Sequence, residues 1–266
     1  MTTASLSLIS VLCYLASAVL IAKNSTSAQA GTNSRTALFA LLVVALVSHA
    51  TLLYITNHGS PGFNFGIFNT ASLIAFSIGT LLACILIWQP VNTLGVVVYP
   101  LAALFVAIAQ WLPGERIVSQ MPLLTRVHIA LSIFSYSLLA IAALQAIYLA
   151  IAHNRLKSHR PILNFLPPLA TMETVLFQIT AIAFALLTIS LVMGGFAIDD
   201  IEAQHLTHKI FFSVLAWLVF ATLLIGRWRY HWRGHRAVKY VCVGFALLAT
   251  GFFGSKLVLE LILHRA

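Results

Sequence analysis

Apolar residues run along this chain in long, nearly unbroken blocks, and polar residues collect in short stretches between them. A membrane-crossing helix needs about 20 apolar residues at 1.5 Å rise per residue. Blocks of that size predict eight helices, at about 3–22, 36–56, 67–88, 91–112, 124–152, 173–196, 206–226 and 237–262. Turn chemistry marks the breaks: the Asn/Ser/Thr-rich stretch 24–34, His58-Gly-Ser-Pro-Gly62, Gln89-Pro90, Pro113-Gly114, Pro161 and Pro167-Pro168. The third and fourth blocks are divided by almost nothing, which predicts a tight helical hairpin. The pattern reads as an all-α, polytopic membrane bundle forming one domain over 1–266, with no soluble module.

Composition sharpens this. Sixty-one per cent hydrophobic residues and 8% charged exclude an ordinary soluble domain. A net charge of +9 can suggest nucleic acid, but no nucleic-acid motif is present, and in a membrane chain such an excess reflects cytoplasmic loops. The first basic residue, Lys23, follows the first apolar block, the reverse of a cleavable signal, so a retained first helix is expected. Cys13, Cys84 and Cys242 lie apart within apolar blocks, which predicts buried structural cysteines. GxSxG, HExxH and a P-loop are absent, and Gly59–Gly66 has no strand before it, so hydrolase and nucleotide chemistry have no support.

Charge sets the orientation. The loops after the first, fifth and seventh helices hold Lys23, Arg35, Arg155, Lys157, Arg160, Arg227, Arg229, Arg233, Arg236 and Lys239, and the positive-inside rule places those loops in the cytoplasm. Glu115, Asp199, Asp200 and Glu202 fall on the other side, and both termini lie outside. Trp111, Tyr54, Trp228, Tyr230 and Trp232 sit where aromatic belts are expected, and Gly194-Gly195 and Gly251 where helices pack closely.

With that topology the ten histidines separate. His153, His159, His231 and His235 lie among Lys and Arg at the cytoplasmic face. His49, His58, His128, His205, His208 and His264 fall in the outer half. Histidine is costly in hydrocarbon and is a common ligand of haem iron and other transition metals. A planar cofactor near the outer surface needs two axial donors from different helices and an apolar slot, and His128 and His208 offer such a pair. Ser132, Ser135 and Tyr136 follow His128 at helical spacing; Phe212 follows His208, with Lys209, Ser213 and Trp217 on an adjacent stripe. Depth and spacing alone do not separate haem from another metal, a proton relay or helix-end histidines reaching the interface.

Further residues bring in a family. Arg126-Val-His-Ile-Ala-Leu-Ser-Ile-Phe-Ser-Tyr136, Leu206-Thr-His-Lys209 with Ser213 and Ala216-Trp217, Trp232-Arg-Gly-His-Arg-Ala237 and Phe253-Gly-Ser-Lys256 together resemble the cytochrome c assembly protein family, near its YpjD-type inner-membrane branch. The resemblance implies a bacterial inner-membrane protein, not an enzyme, that handles haem (haem b) at the outer, periplasmic face for cytochrome c biogenesis. Its partners would be the lipid bilayer, haem and other assembly proteins, with no nucleic acid. His128 matches the family's outer histidine ahead of the Ser-Tyr element. His49 takes the place of a histidine in an early helix, and His264 falls near a second outer histidine. His208 comes from depth, not from the resemblance. The family's tryptophan-rich segment before the seventh helix is replaced by Asp199–Lys209, which holds no tryptophan. Ile225-Gly-Arg227 stands where the family has a late histidine.

Two other readings follow from the residues. A transporter, or an accessory subunit of metal-ion transport, would line its pathway with carboxylates, but all six acids lie at or near helix ends. A di-haem electron-transfer subunit needs facing histidines at both depths, whereas the cytoplasmic-side histidines are in loops.

Overall fold

A computed structural model describes residues 2–26, 32–58, 63–89, 91–112, 117–118, 121–158, 168–197 and 207–254. Eight α-helices follow the apolar blocks: α1 (Thr3–Thr26), α2 (Thr32–His58), α3 (Ile67–Trp88), α4 (Gly95–Trp111), α5 (Leu123–Lys157), α6 (Leu169–Ala197), α7 (Thr207–Tyr230) and α8 (His235–Ala249). The first seven have the length and apolar character to cross a membrane. The last continues as a π-helical turn, Thr250–Gly254. The end of the predicted eighth span lies outside the described residues, as do His159, His205, His264, Glu115, Asp199, Asp200, Glu202 and the side chain of His58.

Local chemistry explains the boundaries. Gln89, which precedes Pro90, takes extended dihedrals (φ −128°, ψ 140°) and ends α3, because proline disfavours the helical region for the residue before it. A 3₁₀ turn at Asn92–Leu94 then leads into α4, so the predicted tight hairpin is present. The polar tails of α5 and α7 extend those helices beyond their apolar blocks, and Arg155 with Lys157, and Arg227 with Arg229, complement the negative ends of the two helix dipoles. Two short strands not read from the sequence, β1 (Phe63–Asn64) and β2 (Ile117–Val118), pair antiparallel and tie the α2–α3 connection to the α4–α5 connection.

The helices group into two compact units, α1–α4 and α5–α8. In the first, α1 packs against α2 and α4, and α3 packs against the same two. In the second, α5 packs against α6 and α8, and α7 packs against the same two. Each unit is thus a closed ring of four helices. Small residues line the tightest seam: Ser135, Ala142 and Ala146 of α5 are buried, and Ser135 Oγ donates to the Ala183 carbonyl of α6 at 2.9 Å. Some buried hydroxyls bond back to their own helix, as Ser17 does to Cys13 O and Thr180 to Leu176 O, whereas Tyr99 OH and Ser137 Oγ are buried with no partner among the described residues. The outward faces carry Leu12, Val43, Val47, Ile182, Val192 and Ile225, the surface a lipid solvent demands.

Two expectations change. The cysteines are free but not buried: Cys84 is exposed, and Cys13 and Cys242 are half-buried, so they belong to the apolar outer faces more than to a core. Trp228, Tyr230, Trp111 and Tyr54 do stand outward, but Trp232 turns in against Gly226 and Tyr240.

Candidate metal centre

His128 sits in the second turn of α5, and α6 returns past it. Its Nδ1 lies 2.7 Å from the backbone carbonyl of Ser190. A carbonyl only accepts, so Nδ1 carries the proton and Nε2 of the neutral ring carries the lone pair. Nε2 has no hydrogen-bond partner among the described residues. Metal-bound histidines are commonly held this way, with one ring nitrogen donating to a carbonyl and the other free for the metal. Ser190 adds its hydroxyl at 3.2 Å from the same Nδ1 and 2.6 Å from Ser132 Oγ. Ser132 lies one turn beyond His128 on the same face of α5.

Gly194 completes the pocket. A Cβ at this position would meet His128 Cε1 at 2.8 Å and Nδ1 at 3.2 Å, so only glycine leaves the imidazole its place. Its neighbour Gly195 has nothing within 4 Å. The expected close packing at this glycine pair therefore belongs to Gly194, and what packs there is the histidine ring. Neither Ser190 nor the carbonyl it presents carries a sequence signal. Their only trace is that Ser190 and Gly194 are four residues apart, on one helical face.

The rest of the polar stripe also converges. Tyr136 OH lies 3.4 Å from Ser213 Oγ, joining α5 to α7. Trp217 Nε1 donates to Thr188 Oγ1 at 2.9 Å, and its ring stacks on Phe184 at 5.5 Å. Gly251 meets Phe212, and Phe252 packs edge-on against Tyr136. His208 is exposed in the first turn of α7. No hydrogen bond or ring contact joins it to His128 among the described residues. Nor do three His, Cys, Asp or Glu side chains gather there as a metal-binding group. Haem iron can be held by a single histidine or by a pair of protein ligands.

His49 belongs to the first unit and differs in kind. It is fully buried, with Nδ1 3.1 Å from Tyr14 OH and Nε2 2.9 Å from Ser72 Oγ. Phe76 and Tyr14 pack edge-on against its ring. Ser10 and Ser48 pair at 2.7 Å between the same two helices, α1 and α2. Both nitrogens of His49 are engaged, so metal ligation requires one of these bonds to break.

At the basic end of the second unit, His153 lies beside Gly234, whose N–H donates to Glu173 Oε1 at 2.8 Å. Glu173 is the only carboxylate among the described residues.

Comparison with known proteins fixes the lineage. The profile of the cytochrome c assembly protein family matches residues 34–263, from α2 through α8. The chain belongs to the cytochrome c assembly protein family. The inner membrane protein YpjD of Escherichia coli strain K12 is 36% identical over 225 residues, covering 83% of this chain and 85% of that protein. An uncharacterized 28.8 kDa protein from the nifR3-like 5′ region of Azospirillum brasilense is 28% identical over 200 residues, covering 69% and 73%. No solved structure matches the chain. Like YpjD, this family member is a multi-pass inner-membrane protein. The family match takes in His49, His128 and His208, and it spans helices of both units.

Proposed function

We propose that this cytochrome c assembly family protein binds haem at the outer face of the membrane and assists cytochrome c biogenesis there. The observation that carries the reading is the preparation of His128: Nδ1–H is tied to the Ser190 carbonyl at 2.7 Å, Gly194 clears room for the ring, and Nε2 is left uncommitted. His128, with His208 exposed at the start of α7, would hold the haem. Haem would supply a redox-active iron that a cytochrome c acceptor requires. The protein's own share is to hold the imidazole in one tautomer and one orientation. In this role the protein would hold haem and make no covalent bond of its own. The metal-transport alternative has no comparable support, because the one described carboxylate, Glu173, is committed to the Gly234 amide.

The test is an absorption spectrum of the purified full chain after titration with haemin. A Soret band is expected for the native protein and should be lost in His128→Ala combined with His208→Ala, while helix content stays unchanged. A native protein without the band, or a band indifferent to both substitutions, overturns the proposal.

A further inference from the structure

The α7–α8 connection is held in place more firmly than a loop between two spans requires. Trp232 N–H donates to the Gly226 carbonyl and Arg227 Nη1 to the Trp232 carbonyl, both at 3.2 Å. The Arg227 guanidinium lies 4.5 Å over the Phe177 ring, and the Trp232 indole presses on Gly226. His231 holds a positive φ of 53°, which few residues other than glycine adopt without a compensating contact, and the positive φ of 57° at Gly234 falls on the residue that tolerates it. Glu173 Oε1 fixes the Gly234 amide. One cation and one carboxylate are thus spent on building the turn.

Other cations are left over. Arg229, Arg233 and Lys239 are exposed, and so is Arg236, whose guanidinium lies 5.9 Å over the Trp232 ring and is held there at the edge of the turn. The chain has no acid between Glu202 and Glu260, so nothing nearby in sequence neutralises them. Beside them Trp228 and Tyr230 are 84% and 68% exposed at the end of an otherwise apolar helix. Tryptophan and tyrosine in such positions sit at the depth of the lipid headgroups, with cations placed to meet phosphate.

We propose that this turn is a binding site for an anionic phospholipid of the cytoplasmic leaflet, with its phosphate held by the guanidinium groups of Arg233 and Arg236. Arginine suits this role because its planar fork meets two phosphate oxygens at once. The exposed aromatics argue for a lipid over a soluble phosphate, since a soluble ligand gives no reason to set Trp228 and Tyr230 against hydrocarbon. The cytoplasmic side follows from the positive-inside rule.

Native mass spectrometry of the detergent-purified full chain, offered phosphatidylglycerol or phosphatidylcholine, reads this directly. The native protein is expected to retain phosphatidylglycerol in preference. Arg233→Gln with Arg236→Gln should weaken that retention roughly thirtyfold, the equivalent of about 2 kcal/mol for two cations. Arg155→Gln with Lys157→Gln, at the end of α5, should leave it within about twofold, since two changes of the same charge away from the site test diffuse attraction alone. If the glutamine pair does not fold, Arg233→Lys with Arg236→Lys keeps the charge and removes the fork, and should show a partial loss. Equal retention of the two lipids, equal loss in the α5 pair, or displacement of phosphatidylglycerol by inorganic phosphate overturns the assignment.

Discussion

Gly194→Ala isolates the pocket around His128 with the smallest available change. The added methyl would sit 2.8 Å from His128 Cε1, and reaching ordinary contact at 3.4 Å means moving the ring by about 0.6 Å. Directed along the bond, that shift stretches the 2.7 Å contact from Nδ1 to the Ser190 carbonyl to about 3.3 Å, the edge of the usual hydrogen-bond range, and weakens it. Two terms oppose each other in stability. Alanine gains about 0.5–1 kcal/mol over glycine inside a helix, and overpacking a filled site costs about 1–3 kcal/mol. The net is a loss of at most about 2.5 kcal/mol, so the variant should fold. Haem affinity should suffer more visibly, because losing the partner of a ligating histidine costs about 10–100-fold in metal binding. Haemin titration followed at the Soret band, alongside thermal melting, separates the two effects. Gly195→Ala is the control, since that position has nothing within 4 Å, and it should leave affinity unchanged. Equal affinities for the two alanine variants would refute the argument that Gly194 seats the ring.

His49→Phe should destabilise the fold and spare the outer site. It strands Tyr14 OH and Ser72 Oγ, two buried hydroxyls that each bond the imidazole from another helix. Interhelix hydrogen bonds in membranes average about 0.6 kcal/mol, but orphaned buried groups cost about 1–3 kcal/mol each, so a loss of about 2–6 kcal/mol is expected by thermal melting. A full loss of haem with an unchanged melting point would make His49 a ligand instead of a structural hub. Gly234→Ala forces a side chain into φ 57°, ψ −127°, and should cost about 1–3 kcal/mol in the same assay. An unchanged melting point there would mean the α7–α8 turn relaxes freely.

The helices were legible because hydrocarbon imposes one requirement on every span, and that requirement is written locally in consecutive residues. The grouping into two rings of four was not, because it depends on which faces meet, and the apolar blocks look alike all round. The candidate site divides the same way. His128 stood out by depth and by the Ser-Tyr element after it, both local signals. Its holder did not: Ser190 is 62 residues away and acts chiefly through a backbone carbonyl, which every residue has. His49 shows the converse. Its depth marks it as costly, but only the partners 35 and 23 residues distant reveal that the cost is met by two hydroxyls. The cysteines misled because an apolar block in a membrane faces lipid as readily as it faces other helices.

The closed rings also bear on how the chain is made. Within each ring the first helix packs against the second and the fourth, so one flank of α1 waits for α4, and one flank of α5 waits for α8. During synthesis those flanks meet lipid or the insertion machinery until the later helix emerges. Ser7, Ser10 and Ser17 put hydroxyls on α1, and all three are buried once its neighbours are in place. A ribosome stalled between the third and fourth helix of either ring would therefore leave a half-built bundle with one flank of its first helix still facing the bilayer, a natural mark for membrane quality-control proteases.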